Sequence, residues 1–246
     1  MVSENMTSVS ESAVAARLAA VRARVADAAL AAGRDPAEVG IIGVSKRQSL
    51  AAVRAALAAG LEDFGENFVQ EALGKMDALG PGKARWHFIG ALQSNKTAAV
   101  AERFDWVHSV DRDKLAERLS RQRPAGLPPL NVCVQVHIGD EPSKSGVAPD
   151  EAGALARRLA GLPGLRLRGL MAVPPPETDA TRQRAWCRRL AELFAEINAA
   201  GLAMDTLSMG MSDDLEAAVA EGATVVRIGT AIFGPRQNGD IPHFQQ

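Results

Sequence analysis

The stretch "EVGIIGVSKRQSLAAVRAALAAG", Glu38 to Gly60, reads as a short apolar strand followed after a few residues by an alanine-rich helix. Ile41, Ile42 and Val44 make the β-branched run of a parallel strand covered on both faces, and Leu50–Ala59 is a helix to cover it. Lys46 ends the run and shares a side with Ile42 and Val44 by two-residue alternation. A lysine there either snorkels into water at the strand's exit or is placed for chemistry. This segment alone leaves both readings open.

The same strand-then-helix unit recurs along the chain. Strand patterns occupy Ile41–Ser45, Glu62–Glu66, Arg85–Ile89, Asp105–Val110, Leu130–Ile138, Leu165–Val173, Asp205–Gly210 and Thr224–Gly229. Helical patterns lie between them at Leu50–Ala59, Phe68–Leu79, Asp113–Arg121, Asp150–Ala160, Thr181–Ala200 and Leu215–Ala220, with a weaker one at Ser94–Glu102. Before the first strand, Val14, Leu18, Val21 and Val25 mark an amphipathic helix, with Ser10 or Ser12 as its cap and Gly33 closing it. Eight alternations in one ordinary domain length predict an α/β fold, a (β/α)8 barrel of the TIM type with an extra N-terminal helix. A Rossmann sheet lacks its GxGxxG after the first strand. The prolines of "PAGLPPL" and "AVPPPETD" mark turns rather than linkers, so one domain is expected over residues 1–246, ordered from about 10 to 236 with 237–246 as a tail.

Composition narrows the function classes. The chain has 246 residues, 47% of them hydrophobic, enough for a full core. Twenty-eight basic and 29 acidic residues leave a net charge of -1 without a dense basic run, which argues against nucleic acid and membrane surfaces as partners. Cys133 and Cys187 stand far apart with no metal-ligand spacing, as expected of inert thiols in a reducing compartment. The N-terminal stretch carries Glu4 and Glu11 and lacks a signal-peptide core, and no apolar run reaches membrane-spanning length, so a soluble cytoplasmic protein is expected. Tyrosine is absent altogether.

In barrels of this type the functional groups lie at the C-terminal ends of strands, and phosphate is commonly held by the loops after the seventh and eighth. After the seventh comes "SMGMSDD": Gly210 permits a tight turn, Ser212 is expected as an N-cap, and Asp213 and Asp214 are expected in the first helical turn. After the eighth, Gly229 allows close backbone approach and Thr230 offers a hydroxyl and an amide. Ser212 and Thr230 could equally be ordinary caps. Arg227 shares a side with Val225 and Gly229, so a guanidinium stands at one of the last inward positions.

A strand-end lysine, a permanent cation and a phosphate loop in one barrel mouth suit an aromatic phosphorylated aldehyde. A lysine of ordinary pKa, about 10.4, is neutral in only about one molecule in 2,500 at pH 7, so imine formation gains from burial and a neighbouring cation. Pyridoxal phosphate combines the aldehyde, the phosphate and a ring nitrogen whose partner sets its electronics.

The motifs "GVSK", "FGENFVQE", "WHFIGALQSNK", "SKSG", "LRGLMAV" and "LSMGMSDDLEAAVAEGATVVRIGTAIFG" occur in this order. Together they closely resemble the pyridoxal phosphate homeostasis protein family, the YggS/PROSC-like proteins, from the first helix to Arg236. The resemblance implies a barrel like the N-terminal domain of alanine racemase without that enzyme's C-terminal β-domain. It implies Lys46 as the imine lysine, Arg227 facing the pyridine nitrogen, and Ser212, Gly229 and Thr230 on the phosphate. Asn67, His87, Met171, Ser208 and Met209 would line the ring more loosely. Phe68 and His137 depart from the family's usual Tyr and Asn, at positions outside the imine and phosphate motifs.

An arginine at the pyridine nitrogen tends to leave it unprotonated, which weakens the ring as an electron sink. Racemase chemistry of the alanine racemase kind also needs a tyrosine opposite the lysine, and the chain has none. The expected protein therefore holds, buffers or hands over pyridoxal phosphate with little turnover, as a monomer, with apoenzymes that receive the cofactor as the protein partners such a role calls for. Three alternatives stay open: a weak pyridoxal phosphate enzyme acting on amino acids, a Schiff-base aldolase, and a metal hydrolase using His87, His108 and His137. The last has one histidine per strand and no evident carboxylate partner.

Overall fold

The computed structural model describes residues 10–139 and 145–235, and in it eight parallel strands close into a barrel in chain order. The strands are β1 (Gly40–Val44), β2 (Asp63–Glu66), β3 (Arg85–Phe88), β4 (Trp106–Val110), β5 (Leu130–Gln135), β6 (Leu165–Met171), β7 (Thr206–Ser208) and β8 (Val225–Ile228). Around them lie α2 (Leu50–Ala58), α3 (Val69–Leu79), α4 (Thr97–Arg103), α5 (Asp113–Gln122), α6 (Pro149–Ala160), α7 (Ala180–Ala199), α8 (Leu215–Ala220) and α9 (Thr230–Phe233), with α1 (Glu11–Ala31) ahead of β1. The expected tail at 237–246, and Ser143 and Lys144 of "SKSG", lie outside the described residues.

Closure pairs β1 with β8: Ile42 is the register partner of Arg227, and Gly43 of Ile228. Two glycines let strands and loops approach where a side chain would not fit. A Cβ on Gly169 would lie 1.6 Å from the Thr206 carbonyl oxygen, so β6 and β7 pack backbone to backbone there. Gly210, at φ +92°, would place a Cβ 2.5 Å from that of Ala218.

The expected N-terminal helix is α1, which buries Val14, Leu18, Val21, Val25 and Ala29. It packs on α2, α8 and α9, covering the seam where the barrel closes. Arg22 on this helix and Arg34 just after it also serve carbonyls at the C-terminal ends of neighbouring helices. Arg22 donates to Ala59 and Gly60 after α2, and Arg34 to Val219 and Ala223 at the end of α8. Ser10 is the N-cap by position, but its hydroxyl pairs with that of Ser12 at 2.5 Å and makes no cap bond.

Two local expectations change. The weak pattern at Ser94–Glu102 becomes a 3-10 turn, Ser94–Lys96, and then α4. Ser212 does not cap α8: the helix begins at Leu215 with Asp214 at the N-cap, and the Asp214 carboxylate accepts from the Met211 amide at 2.5 Å. Asp213 and Asp214 therefore precede the first helical turn. The side chain of Asp214 folds back to close the loop after Gly210, and Ser212 is left inside that loop.

Candidate cofactor site

Lys46 lies in the turn that follows β1, partly buried. Because Gly43 is level with Ile228, Val44 faces Gly229, and a Cβ on Gly229 would lie 3.5 Å from that of Val44. Lys46 and the Gly229–Thr230 turn thus leave the barrel side by side at its C-terminal rim. The turn is tightly built. Gln48 donates to the Ser45 carbonyl at 3.0 Å, and Arg47, at φ +57°, has its amide on Glu71 Oε1 at 2.5 Å. A non-glycine residue in the left-handed region beside the candidate anchor is local strain at a functional turn.

Behind Lys46 lies a polar cluster that sequence reasoning missed. Glu66 Oε1 accepts from Ser45 Oγ at 2.6 Å and from Lys75 Nζ at 2.7 Å. Lys75 also donates to the Ser45 carbonyl and to Glu71 Oε1. Burial pushes the Glu66 carboxyl up to about 7; the Lys75 charge opposes the rise and Glu71 adds to it. The Glu71–Lys75 spacing of four residues was a visible signal, but nothing in the sequence placed Glu66 opposite Ser45.

Inside the barrel Arg227 is buried, with Nη1 donating to Ser208 Oγ at 2.8 Å and Nη2 to the Ala172 carbonyl at 2.7 Å. Neither acceptor is a carboxylate. Burial pushes this guanidinium down to about 10, with Asp214 opposing, so it remains charged at neutral pH. Ser208 in turn meets His108 Nδ1 at 2.9 Å, His108 Nε2 meets His87 Nδ1 at 3.0 Å, and His87 Nε2 meets Asp63 Oδ1 at 2.9 Å.

The sequence-derived site residues therefore fall into groups. Lys46, Gly229 and Thr230 stand together at the rim. Ser212 is in the loop after β7, which is tied to β8 by the Arg227 amide on the Gly210 carbonyl. Arg227 and Ser208 are joined directly below. Met171 ends β6 and is buried, and Met209 is wholly buried within the apolar core. Asn67 follows β2, and among the described residues its buried Oδ1 has no hydrogen-bond partner. His87 is directed away from the rim, toward Asp63 at the start of β2. His87 and His108 pair with each other, and among the described residues no group of three or more His, Cys, Asp or Glu is placed to hold a metal. Phe68 is 46% exposed with the Arg47 guanidinium 5.8 Å above its ring.

These groups fit pyridoxal phosphate. A rim lysine can take the aldehyde, and a cation whose acceptors are neutral can face a ring nitrogen. The buried Asn67 oxygen offers an acceptor, and the two loops lie beside the lysine for a phosphate.

Comparison with known proteins places this geometry. Residues 14–237 match the family described as alanine racemase, N-terminal domain. The pyridoxal phosphate homeostasis protein of Pseudomonas aeruginosa is 60% identical over 228 residues, 93% of this chain and 98% of the relative. That of Escherichia coli K12 is 51% identical over 226 residues, 91% and 97% of the two chains. PipY of Synechococcus elongatus, solved with PLP (pyridoxal phosphate) bound, is 39% identical with a TM-score of 0.80, covering 90% of this chain and 100% of its own. Alanine racemase from Corynebacterium glutamicum, 16% identical with a TM-score of 0.69, covers 95% of this chain and 64% of its own, and shares the fold. The chain belongs to the pyridoxal phosphate homeostasis protein family, built on the barrel of the alanine racemase N-terminal domain.

Proposed function

We propose that this protein binds pyridoxal phosphate at the C-terminal mouth of its barrel, as a Schiff base on Lys46, and stores or hands over the cofactor in the cytoplasm without significant turnover. The observation that carries this reading is Arg227: a buried cation whose side-chain acceptors among the described residues are neutral, on the strand paired with β1, after which Lys46 follows. Ser212, Gly229 and Thr230 would hold the phosphate, and Asn67, Met171, Ser208 and Met209 would shape the ring's surroundings, with His87 acting from further away. The bound cofactor supplies an electron sink, and an arginine at its ring nitrogen weakens that sink. A second base on the opposite ring face is also wanting. Tyrosine is absent, and burial pushes the Cys133 thiol up to about 12, which leaves almost no thiolate at neutral pH. The same reading takes the protein as a monomer and apoenzymes as recipients.

The test is the absorption spectrum of freshly purified protein beside Lys46→Ala. Visible absorbance present in the wild type and lost in the variant, with borohydride fixing the label on Lys46 in peptide maps, is the expected result. Label on another lysine overturns the assignment. Racemisation or α-proton exchange of any amino acid in a panel of L and D forms overturns the absence of turnover.

A further inference from the structure

We propose that Asp63, His87 and His108 are positioning residues for Arg227, joined to it through Ser208 by a hydrogen-bond chain that crosses the barrel in a single direction. The proposal builds on the reading of Arg227 as the cofactor's ring-nitrogen partner.

The direction follows from the two ends. Asp63 is an acceptor: its carboxylate takes Arg85 Nε and Nη2, both at 2.7 Å. Burial works against that charge, but the hydrogen bonds from His87 and Arg85 outweigh it and hold the carboxyl at about 2. His87 Nε2, 2.9 Å from Asp63 Oδ1, must then carry its hydrogen. At the other end Arg227 can only donate, so Ser208 Oγ accepts.

Between these ends the assignment closes with both imidazoles neutral. His87 Nδ1 accepts from His108 Nε2–H, and His108 Nδ1 accepts from the Ser208 hydroxyl. Every inner group donates once and accepts once. Protonating either ring would turn Ser208 from donor into acceptor on both sides and leave its hydroxyl proton without a place in the chain. Burial lowers His87 despite Asp63, and lowers His108 further with His87 and Arg227 adding to the effect, in keeping with neutral rings. The plane of His87 is also locked, since it stacks on Trp106 at 5.4 Å and 17°, and Arg168 covers the same indole at 4.6 Å.

The purpose of such a chain lies in charge placement. A carboxylate in contact with Arg227 would compete with a ring nitrogen for the guanidinium. Here the chain leads to a carboxylate four hydrogen bonds away, at the N-terminal end of β2, and polarises toward it, while the charge of Asp214 acts on the guanidinium through space. Among the described residues Arg227 is held in orientation by Ser208 and Ala172 and has no ion-pair partner.

Nitrogen-15 NMR of the imidazoles in the full chain without added cofactor tests this. The chain has four histidines, and His87→Gln and His108→Gln assign the two signals. Both rings are expected as neutral Nε2–H tautomers from about pH 6 to about pH 8. Asp63→Leu removes the charge and the acceptor at one end of the chain, and Ser208→Ala cuts the other end, where Asp63 alone should still hold His87 as Nε2–H. Both variants should weaken pyridoxal phosphate binding by about fivefold or more and shift the bound cofactor's absorption maximum. A protonated or Nδ1–H ring at either histidine in the wild type overturns the chain. Loss of the Nε2–H form of His87 in Ser208→Ala does so as well, and unchanged cofactor binding and absorption in both variants sever its link to Arg227. Should Asp63→Leu fail to fold, the wild-type tautomers and Ser208→Ala decide. Wild-type protein that takes up no pyridoxal phosphate would remove the functional reading and leave the tautomer result standing.

Discussion

Lys75 Nζ donates to the main-chain carbonyl of Ser45 at 2.6 Å, so an ammonium carried by α3 holds the residue that immediately precedes Lys46. The same nitrogen bridges Glu66 and Glu71, each at 2.7 Å. Lys75→Met removes all three bonds and leaves the buried Glu66 without its cation, an effect of about 3–5 kcal/mol. Urea unfolding at neutral pH measures it. A loss under about 1 kcal/mol would place this pair with exposed ion pairs instead.

Glu66 also sets a pH dependence. Its carboxyl titrates at about 7 in the folded chain, raised by burial, against roughly 4.3 for an unfolded glutamate. Between those values the folded state binds more protons than the unfolded one. The Glu66 contribution is therefore fully present below the lower value and is lost as pH rises through the upper one, by up to roughly 4 kcal/mol. Glu66→Gln should flatten that part of the urea-midpoint profile. A variant profile as steep as the wild type's would assign the slope to other groups.

Cys133 and Cys187 are wholly buried, and burial pushes both thiols up to about 12. In native protein an aromatic disulfide reagent should label neither at a rate above that of unfolding, whereas denatured protein should yield both at once. Fast labelling of one thiol in the native state would show that its helix or strand opens locally.

Gly169→Ala tests the backbone contact between β6 and β7. The added methyl would stand 1.6 Å from the Thr206 carbonyl oxygen, so the two strands must separate. The expected cost is at least about 3 kcal/mol, at or beyond the upper end for an overpacked core. Ala at Gly126, where nothing lies within 4 Å, is the matched control and should unfold like the wild type. Equal stability of the two variants would mean that β6 and β7 can part freely.

The barrel was legible because its signals are local. Strand alternation and helical spacing are periods of two and 3.6 residues, and each of the eight units carries its own. The same alternation puts Arg227 on the inward side, where it is buried, and the rule for barrel mouths gives one expected site for it and Lys46. The cap at Ser212 was misread because the side chain that closes that loop, Asp214, does so by turning back three residues to Met211, a choice that depends on Gly210 and on the burial of Asp214.

By itself the sequence determined the eight β/α units, the lysine at the first strand's end, the arginine on the last strand, and the lack of a tyrosine base. Only the tertiary structure decided what those groups lean on. His87 and His108, one to a strand, left a metal-ligand reading open beside that of polar lining, because nothing local tells a histidine which partner it will meet. Barrel closure brings His108 within 2.9 Å of Ser208, 100 residues away, and turns the histidines into a path between Asp63 and Arg227. Glu66 became a buried acid behind Lys46 in the same way, through the pairing of β1 with β2 and the packing of α3. Periodicity is a property of neighbours along the chain, whereas a buried hydrogen bond is a property of neighbours in space, and only the closed barrel supplies those.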